Sequence, residues 1–440
     1  MNLAFGSHIK SKFEFLLKSR ILIAVSGGLD SVVLTHLCHN LKLDIALAHC
    51  NFNLRGNESD DDERFVTNLA ETLGLEVFVE SFDTKHYATQ HKLSIQMAAR
   101  ELRYHWFYRL SEDLKFDYIL TAHHADDNLE TVLINLTRGT GLSGLTGIPE
   151  VNETIVRPLL PFSRDDLESY AKANSYKWRE DSSNTSDKYL RNKLRHHVIP
   201  VLKEANPELL SNFKTTIDNL NDTSEMISDC IEAFTKRALV SVDETQLKFK
   251  ISEFKSLKNP KSYLYELFHD YGFTQWDDVT NLLDAQSGKQ IFSNTHRLLK
   301  DREHLILTEV SHSSLNKVSY NIQKEDAKVE TPAGFLFFDE ADAIFGKRTN
   351  VVFVDKDKLT FPLTLRKWQE GDYFYPSGMT GKKKLSKYFK DEKLSLVDKE
   401  NIWLLSSNDA IVWVLGMRND DRFKVTQKTK TILKITLNKV

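Results

Sequence analysis

"ILIAVSGGLDSVVLTHL", residues Ile21 to Leu37, runs an apolar strand through a small polar glycine turn into a helix with periodic apolar positions. Such a turn collects backbone N–H groups at a helix N-terminus, where the helix dipole adds positive potential, so an anion such as a phosphate is the first candidate ligand. The ordinary nucleotide loop, G-x-x-x-x-G-K-[ST], sets a lysine on the outer phosphates. Here Ser26, Gly27, Gly28, Leu29, Asp30 and Ser31 supply none. An aspartate facing a polyphosphate is repulsive unless it holds a divalent cation, and Mg²⁺ prefers one or two carboxylates together with phosphate oxygens and water. The stretch therefore reads as a site for the pyrophosphate part of ATP. Backbone amides and the hydroxyls of Ser26 and Ser31 are the donors, and Mg²⁺ on Asp30 stands in for the missing lysine. A purely structural Gly-Gly turn is the competing reading, and the aspartate between two serines argues against it.

Outward from this loop, "ILIAV", "DIALAH", "LEVFVE" and "FDYILTA" alternate with helical patterns as far as Leu120, which argues for right-handed βαβ crossovers and a parallel sheet covered on both faces. Ligands of such sheets sit at the carboxyl ends of the strands, near a topological switch point. The polar loops there are "SGGLDS", "HCNFNLRGNESDDDE" and "HHADDNLET". Ser163 is an expected helix N-cap in "RPLLPFSRDDLESYAKANSY". The α/β domain is expected over 1–206 and a mainly helical domain over 207–312, ending in a hairpin at "QIFSNTHRLLKDREHLILTEV". A polar linker over 313–349 and a small β-rich domain over 350–440 complete the chain.

The 440 residues allow roughly three domains. No apolar run is long enough for a signal core or a membrane span, so a cytoplasmic address and no membrane partner are expected. Three cysteines, Cys38, Cys50 and Cys230, form no C-x-x-C pair, which speaks against a disulfide framework, structural zinc or an iron–sulfur cluster. The net charge of -3 excludes a uniformly basic surface while leaving room for local basic patches.

"SGGLDS" resembles the pyrophosphate loop of the ATP pyrophosphatases, which cleave ATP to AMP and pyrophosphate and so activate a carbonyl oxygen. The ordered set "HCNFNLRGNESDDDE" (His49–Glu63), "AARELRY" (Ala98–Tyr104), "HHADDNLET" (His123–Thr131), "RGTGLSGLTG" (Arg138–Gly147), "RPLL" (Arg157–Leu160), "DSSN" (Asp181–Asn184) and "RNKLRHHVIP" (Arg191–Pro200) narrows the resemblance. With the C-terminal "LRKWQEGDYFYPSGMTGKKKLSKYF", it is similar to the tRNA(Ile)-lysidine synthetases. The resemblance implies an α/β ATP pyrophosphatase fold of the adenine nucleotide alpha hydrolase type. It implies ATP and Mg²⁺ as cofactors, free L-lysine and an isoleucine tRNA with a CAU anticodon as partners, and a homodimer. The implied reaction adenylates C2 of the first anticodon cytidine and then replaces AMP with the ε-amine of lysine, which changes the codon read from AUG to AUA. Two positions depart from the family pattern: Phe52-Asn53 stands where a second histidine is common, and Asn128 where glutamine is common.

Attack on the α-phosphate calls for cations there. Arg100 and Arg103, one helical turn apart, suit that clamp, with Arg103 preferred; the competing reading pairs both with acids on a solvated face. Lysine must lose a proton, since its ordinary pKa is about 10.4. In "HHADDNLET", one of His123 and His124 is expected to contact phosphate, while Asp127 or Glu130 holds the lysine ammonium or takes its proton. Asp126 is equally suited to capping the helix. A zinc site is disfavoured because H-E-x-x-H spacing is absent. Arg138, Gly139, Gly141 and Gly144 fit either a substrate-gripping loop or an ordinary connection.

On the RNA side, Arg191 and Arg195 in "RNKLRHH" and Lys382, Lys383, Lys384 and Lys387 in "GKKKLSKYFKDEK" are two basic clusters in a near-neutral chain. Tyr388 and Phe389 either stack on bases or pack beneath the lysine stems. The rival chemistry is tRNA thiolation on the same fold, which needs a reactive cysteine, Cys50 being the candidate. A non-catalytic RNA-binding protein is the rival of another class.

Overall fold

The apolar run before the glycine turn becomes a central strand in which Ile21, Leu22 and Ile23 are completely buried. The computed structural model describes residues 1–180, 190–243, 245–310, 319–344, 346 and 349–438. The chain divides into two units, Met1–Asp229 and Cys230–Val440. In the first, α1 (Asn2–Lys12) precedes β1 (Arg20–Ala24), α2 (Leu29–Asn40), β2 (Asp44–Asn51), α3 (Asn57–Leu73), β3 (Val77–Ser81), α4 (Thr84–His91) and α5 (Ile95–Leu114). Then come β4 (Tyr118–Leu120), α6 (Ala125–Arg138), α7 (Leu142–Leu145), β5 (Val151–Asn152), β6 (Ile155–Val156), α8 (Arg164–Ala173), α9 (Leu190–Lys193), α10 (Ile199–Ala205) and α11 (Leu209–Ala238). The "DSSN" motif lies outside the described residues.

Sheet order is β3-β2-β1-β4-β6-β5. Strand β1 runs parallel to β2 on one side and to β4 on the other, with Ile21 between Ile45 and Tyr118. Only β5 is antiparallel. Because side chains alternate along a strand, Ile21 and Ile23 face a core shared with Phe5, Val33, Leu37 and Leu167, while Leu22 faces Ala46, Trp106, Phe107 and Ile119. Helices α1, α2 and α8 thus cover one face and α5 the other. The connection from β1 leads to one side and β4 sits on the other, so the two loops that follow them flank a switch-point crevice. Ser163 caps α8 as expected, its hydroxyl accepting the Asp166 N–H at 3.1 Å.

The second unit opens with the end of α11, whose Phe234 and Ala238 are buried against Phe254, Phe268 and Leu305. β7 (Leu239–Asp243), β8 (Gln246–Lys250), α12 (Ile251–Lys255), α13 (Pro260–Phe268), α14 (Trp276–Asn281), β9 (Gln290–Phe292), β10 (His296–Asp301) and β11 (His304–Glu309) follow. The expected hairpin is there, but it belongs to a five-stranded sheet of order β7-β8-β11-β10-β9. Strand β7 is an edge with four of its five residues exposed, so it carries no apolar alternation to read.

Beyond lie β12 (Ser319–Ile322), β13 (Lys328–Thr331), β14 (Gly334–Ala341), β15 (Val351–Asp355), β16 (Leu363–Lys367), β17 (Tyr373–Phe374), β18 (Lys383–Lys384), α15 (Leu385–Asp391), α16 (Leu396–Asn401), β19 (Trp403–Ser407), β20 (Ala410–Val414) and β21 (Ile432–Asn438). Two four-stranded sheets, β12-β16-β19-β20 and β13-β14-β21-β15, share a core of Ile322, Leu365, Leu405 and Trp413 with Leu336, Val354, Ile435 and Leu437. The segment 313–349, expected as a linker, therefore contributes three strands. Strands β12 and β13 are edges with a single buried residue each, which gives them a polar composition. Among the described residues, no helix is long and apolar enough to cross a membrane.

Candidate active site

The turn between β1 and α2 is held from within. Gly27 has φ +87°, a conformation that glycine adopts without steric cost. Ser31 Oγ donates to Gly28 O at 3.0 Å and accepts from Ser26 N at 3.3 Å. Ser31, expected to donate to phosphate, thus spends its proton on the loop's own carbonyl, and Ser26 is the exposed hydroxyl. The first amides of α2 have no intrahelical acceptor. Asp30 Oδ2 lies 3.4 Å from Arg164 Nη1 and 3.7 Å from His124 Nε2, whereas its Oδ1 is buried with no hydrogen-bond partner among the described residues. Burial pushes its pKa up, opposed by His124 and Arg164. A bare carboxylate oxygen beside orphan amides suits a hard cation shared with a phosphate. No group of three His, Cys, Asp or Glu among the described residues is placed to hold a metal alone.

Across the crevice, His124 is 1% exposed, with neither ring nitrogen hydrogen-bonded among the described residues. Its Nε2 is 3.4 Å from Asp127 Oδ2, and its Nδ1 is 3.7 Å from Asp126 Oδ2. Asp127 Oδ2 also accepts the His124 N–H at 3.2 Å, which closes the start of α6. The capping role considered for Asp126 therefore falls to Asp127. Asp126 instead accepts the Arg164 N–H at 2.8 Å and pairs with Lys203 at 2.6 Å, tying α6 to α8 and α10. His123 Nδ1 lies 2.9 Å from Thr121 Oγ1, and burial pushes its pKa down to about 4. Burial works against ionisation of Asp127, yet His124, His123 and Arg195 outweigh it and hold its pKa low. Burial raises the pKa of Glu130 despite the guanidinium beside it.

That guanidinium is Arg195. Its Nε is 2.6 Å from Glu130 Oε1, and its Nη2 is 2.9 Å from Oε2 and 3.1 Å from Asp127 Oδ1. Arg191 Nε is 3.4 Å from Glu130 Oε2, and Arg191 Nη2 donates to Thr131 Oγ1 at 2.9 Å. Both arginines, expected on an RNA face, therefore turn onto the acidic helix start. Buried carboxylates without counter-charges would be costly. Arg195 sits in a π-helical turn, Leu194–Val198, a form often found at functional sites.

Arg100 and Arg103 are exposed on α5 and form no ion pair among the described residues, so the solvated-face pairing is not realised. Arg103 Cζ lies 5.2 Å from the Phe52 ring centroid, and Phe52 stacks on Phe82 at 5.7 Å. Arg100 lies over Tyr104 at 4.8 Å. Sequence reasoning placed Asp30, His123, Asp127 and Glu130 in one crevice, and the geometry brings them together. It left open which of His123 and His124 faces Asp30, and it missed Arg164 and Lys203, because an ion pair such as Asp30–Arg164, across 134 residues, leaves no local pattern.

Cys38 is packed into the core, and burial pushes the Cys50 thiol up to about 12. Neither matches the low-pKa thiolate that sulfur transfer needs. Cys50→Ser is expected to leave turnover within about twofold of the parent in a steady-state assay, since the site asks nothing of this thiol.

In the second unit, Lys382, Lys384 and Lys387 are exposed, and Lys383 turns onto Asp391 at 2.7 Å. Tyr388 and Phe389 are buried core residues beneath these lysines and are not free to stack on bases. Lys382 Nζ lies 5.0 Å over the ring of Tyr373, which is 45% exposed.

Residues 1–202 match the family model of a PP-loop domain, 242–310 that of a TilS substrate binding domain, and 363–436 that of a TilS substrate C-terminal domain. A tRNA(Ile)-lysidine synthase of Parabacteroides distasonis is 42% identical over 428 residues, 96% of each chain. Another from Bacteroides thetaiotaomicron is 38% identical over 97% of each chain, and one from Geobacter sulfurreducens is 29% identical over 94% of this chain and 92% of its own.

Proposed function

Because the chain belongs to the tRNA(Ile)-lysidine synthase family, we propose that it joins free lysine to the first anticodon cytidine of a CAU-anticodon isoleucine tRNA at the cost of ATP. It is in this reading a carbon–nitrogen ligase of the cytoplasm. The supporting observation is the meeting of the glycine loop and the acidic helix start across one strand pair, β1 and β4. In this reading a phosphate site and a site for the lysine ammonium share one crevice.

In the first step the cytidine C2 oxygen attacks the α-phosphate, an O–P bond forms, and pyrophosphate leaves. The α2 amides and Ser26 receive the pyrophosphate. Asp30 would hold Mg²⁺, which supplies neutralising charge to the phosphates. Arg103, with Arg100, faces the α-phosphate, where charge must be stabilised, and His123, neutral at pH 7, offers a ring nitrogen to the same group. In the second step the lysine amine bonds to C2, and the C2–O bond breaks to release AMP. The lysine ammonium takes over the charge that Arg195 now supplies to Asp127 and Glu130. Ionised Asp127 holds it, and Glu130, the weaker acid, receives its proton. In this reading the chain works as a homodimer.

The adenylation half is testable alone: the chain should exchange labelled pyrophosphate into ATP when isoleucine tRNA is present and lysine is absent. Exchange that ignores tRNA contradicts the order of steps. On the RNA side, replacing Lys382, Lys384 and Lys387 by alanine removes up to three phosphate contacts. The slope of log affinity for tRNA against log salt should fall by roughly 2 to 3, with ATP binding retained. An unchanged slope removes these lysines from the interface.

A further inference from the structure

The pyrophosphate loop lacks a lysine, yet an arginine from distant sequence lays its backbone and stem along it. Arg179 N–H donates to Gly27 O at 2.9 Å. Its Cγ lies 3.7 Å from the position a β-carbon on Gly27 would take, and its carbonyl 4.0 Å from that on Gly28, so the Arg179 backbone and stem lie along the loop. The guanidinium is anchored: Nε donates to Asp62 Oδ1 at 2.9 Å, and Nη2 lies 3.7 Å from Asp61. The other oxygen of Asp62 accepts from Arg55 Nη2 at 2.7 Å. Asp62 is a buried carboxylate on α3, its side chain 10% exposed, and Arg55 belongs to the loop after β2. Two guanidiniums thus converge on one carboxylate, and the residue that carries one of them presses on the glycine turn.

We propose that Asp62 and Arg179 brace the pyrophosphate loop, making both positioning residues for the phosphates of ATP. Asp62 fixes the arm, and the arm fixes the loop carbonyl and stem contact that keep Gly27 in its left-handed conformation with the α2 amides free for an anion. Arg55 neutralises the second half of the Asp62 charge, so the arm is held without leaving a bare anion near the phosphates. The proposal rests on the reading of Ser26–Ser31 as the ATP loop. A preorganised loop binds pyrophosphate without first paying an ordering cost, so its loss should appear as weaker phosphate binding with little change in the bound-state chemistry.

The test is steady-state kinetics of the full chain with Asp62→Asn, Arg179→Met and the double variant. Each single variant is expected to raise KM for ATP about tenfold and to weaken inhibition by inorganic pyrophosphate similarly, with KM for lysine and kcat at saturating ATP within about threefold of the parent. The double variant should match the singles, because both remove one device. Arg179→Lys, which keeps the stem and the charge, should recover most of the ATP affinity, and it carries the test if Asp62→Asn does not fold. An ATP KM within twofold of the parent in Arg179→Met, or a fall in kcat with KM unchanged, overturns the brace. Asp30→Ala and Ser26→Ala serve as the controls on the reading beneath it. If they leave ATP binding intact, the loop itself is wrongly assigned; if they impair it while the brace variants do not, only the brace fails.

Discussion

Asp30→Asn should reduce tRNA-dependent pyrophosphate release at least about a hundredfold, the scale on which loss of one electrostatic contact to a transition state is felt. The substitution keeps the shape of the side chain and removes one charge. Among the described residues of the parent, Oδ1 is buried without a donor, and Oδ2 shares only long contacts with Arg164 and His124. Packing within the protein therefore does not explain why a carboxylate occupies the first turn of an anion-binding helix. The cation proposed to be held there beside the phosphates would explain it. Since burial disfavours the charged form of Asp30, the amide should cost little stability, and a thermal melt within a few degrees of the parent should accompany the loss of rate. Retention of more than a tenth of the rate would remove Asp30 from the nucleotide site.

Glu130→Gln should separate the two half-reactions. Glu130 is 1% exposed and receives a two-pronged contact from Arg195 that also touches Asp127. With the amide in place, the pocket loses one of the two negative charges that an ammonium needs. KM for lysine is expected to rise on the order of a hundredfold, while lysine-independent pyrophosphate exchange stays within about threefold. Breaking a buried pair costs about 3 to 5 kcal/mol, and the low end applies because Arg195 keeps Asp127 and is 26% exposed. Asp127→Asn should act in the same direction on lysine, and its one remaining oxygen cannot accept from both the His124 N–H and Arg195. Unchanged lysine kinetics in both variants would move the amine site elsewhere.

Both predictions use residues that were legible in the sequence, and the reason lies in local geometry. Asp30 announces itself because strand, glycine turn and helix are contiguous. Asp127 and Glu130 do so because i,i+3 spacing sets them on one helical face. Arg191 and Arg195 were legible as charge but not as place: a basic run reads the same whether it faces solvent, RNA or a buried carboxylate. What fixes them is Glu130, 65 residues away from Arg195. The contrast between Asp126 and Asp127 was likewise out of reach, since the Arg164 N–H that occupies Asp126 comes from another helix. In the fold, the parallel sheet was readable through its apolar runs. Edge strands β7, β12 and β13 were not, because an edge with one inward residue has a loop's composition. The aromatics of "KKKLSKYF" show the same limit, for Tyr388 and Phe389 are core residues of the second unit.

The most direct test of the whole account is the mass of the tRNA product. Incubating the full chain with ATP, Mg²⁺, labelled free lysine and unmodified CAU-anticodon isoleucine tRNA should release AMP only when lysine is present. The RNA should gain the mass of one lysine less one water, located at the first anticodon cytidine. Pyrophosphate release with no lysine in the RNA, or a mass gain assigned to sulfur, would contradict it.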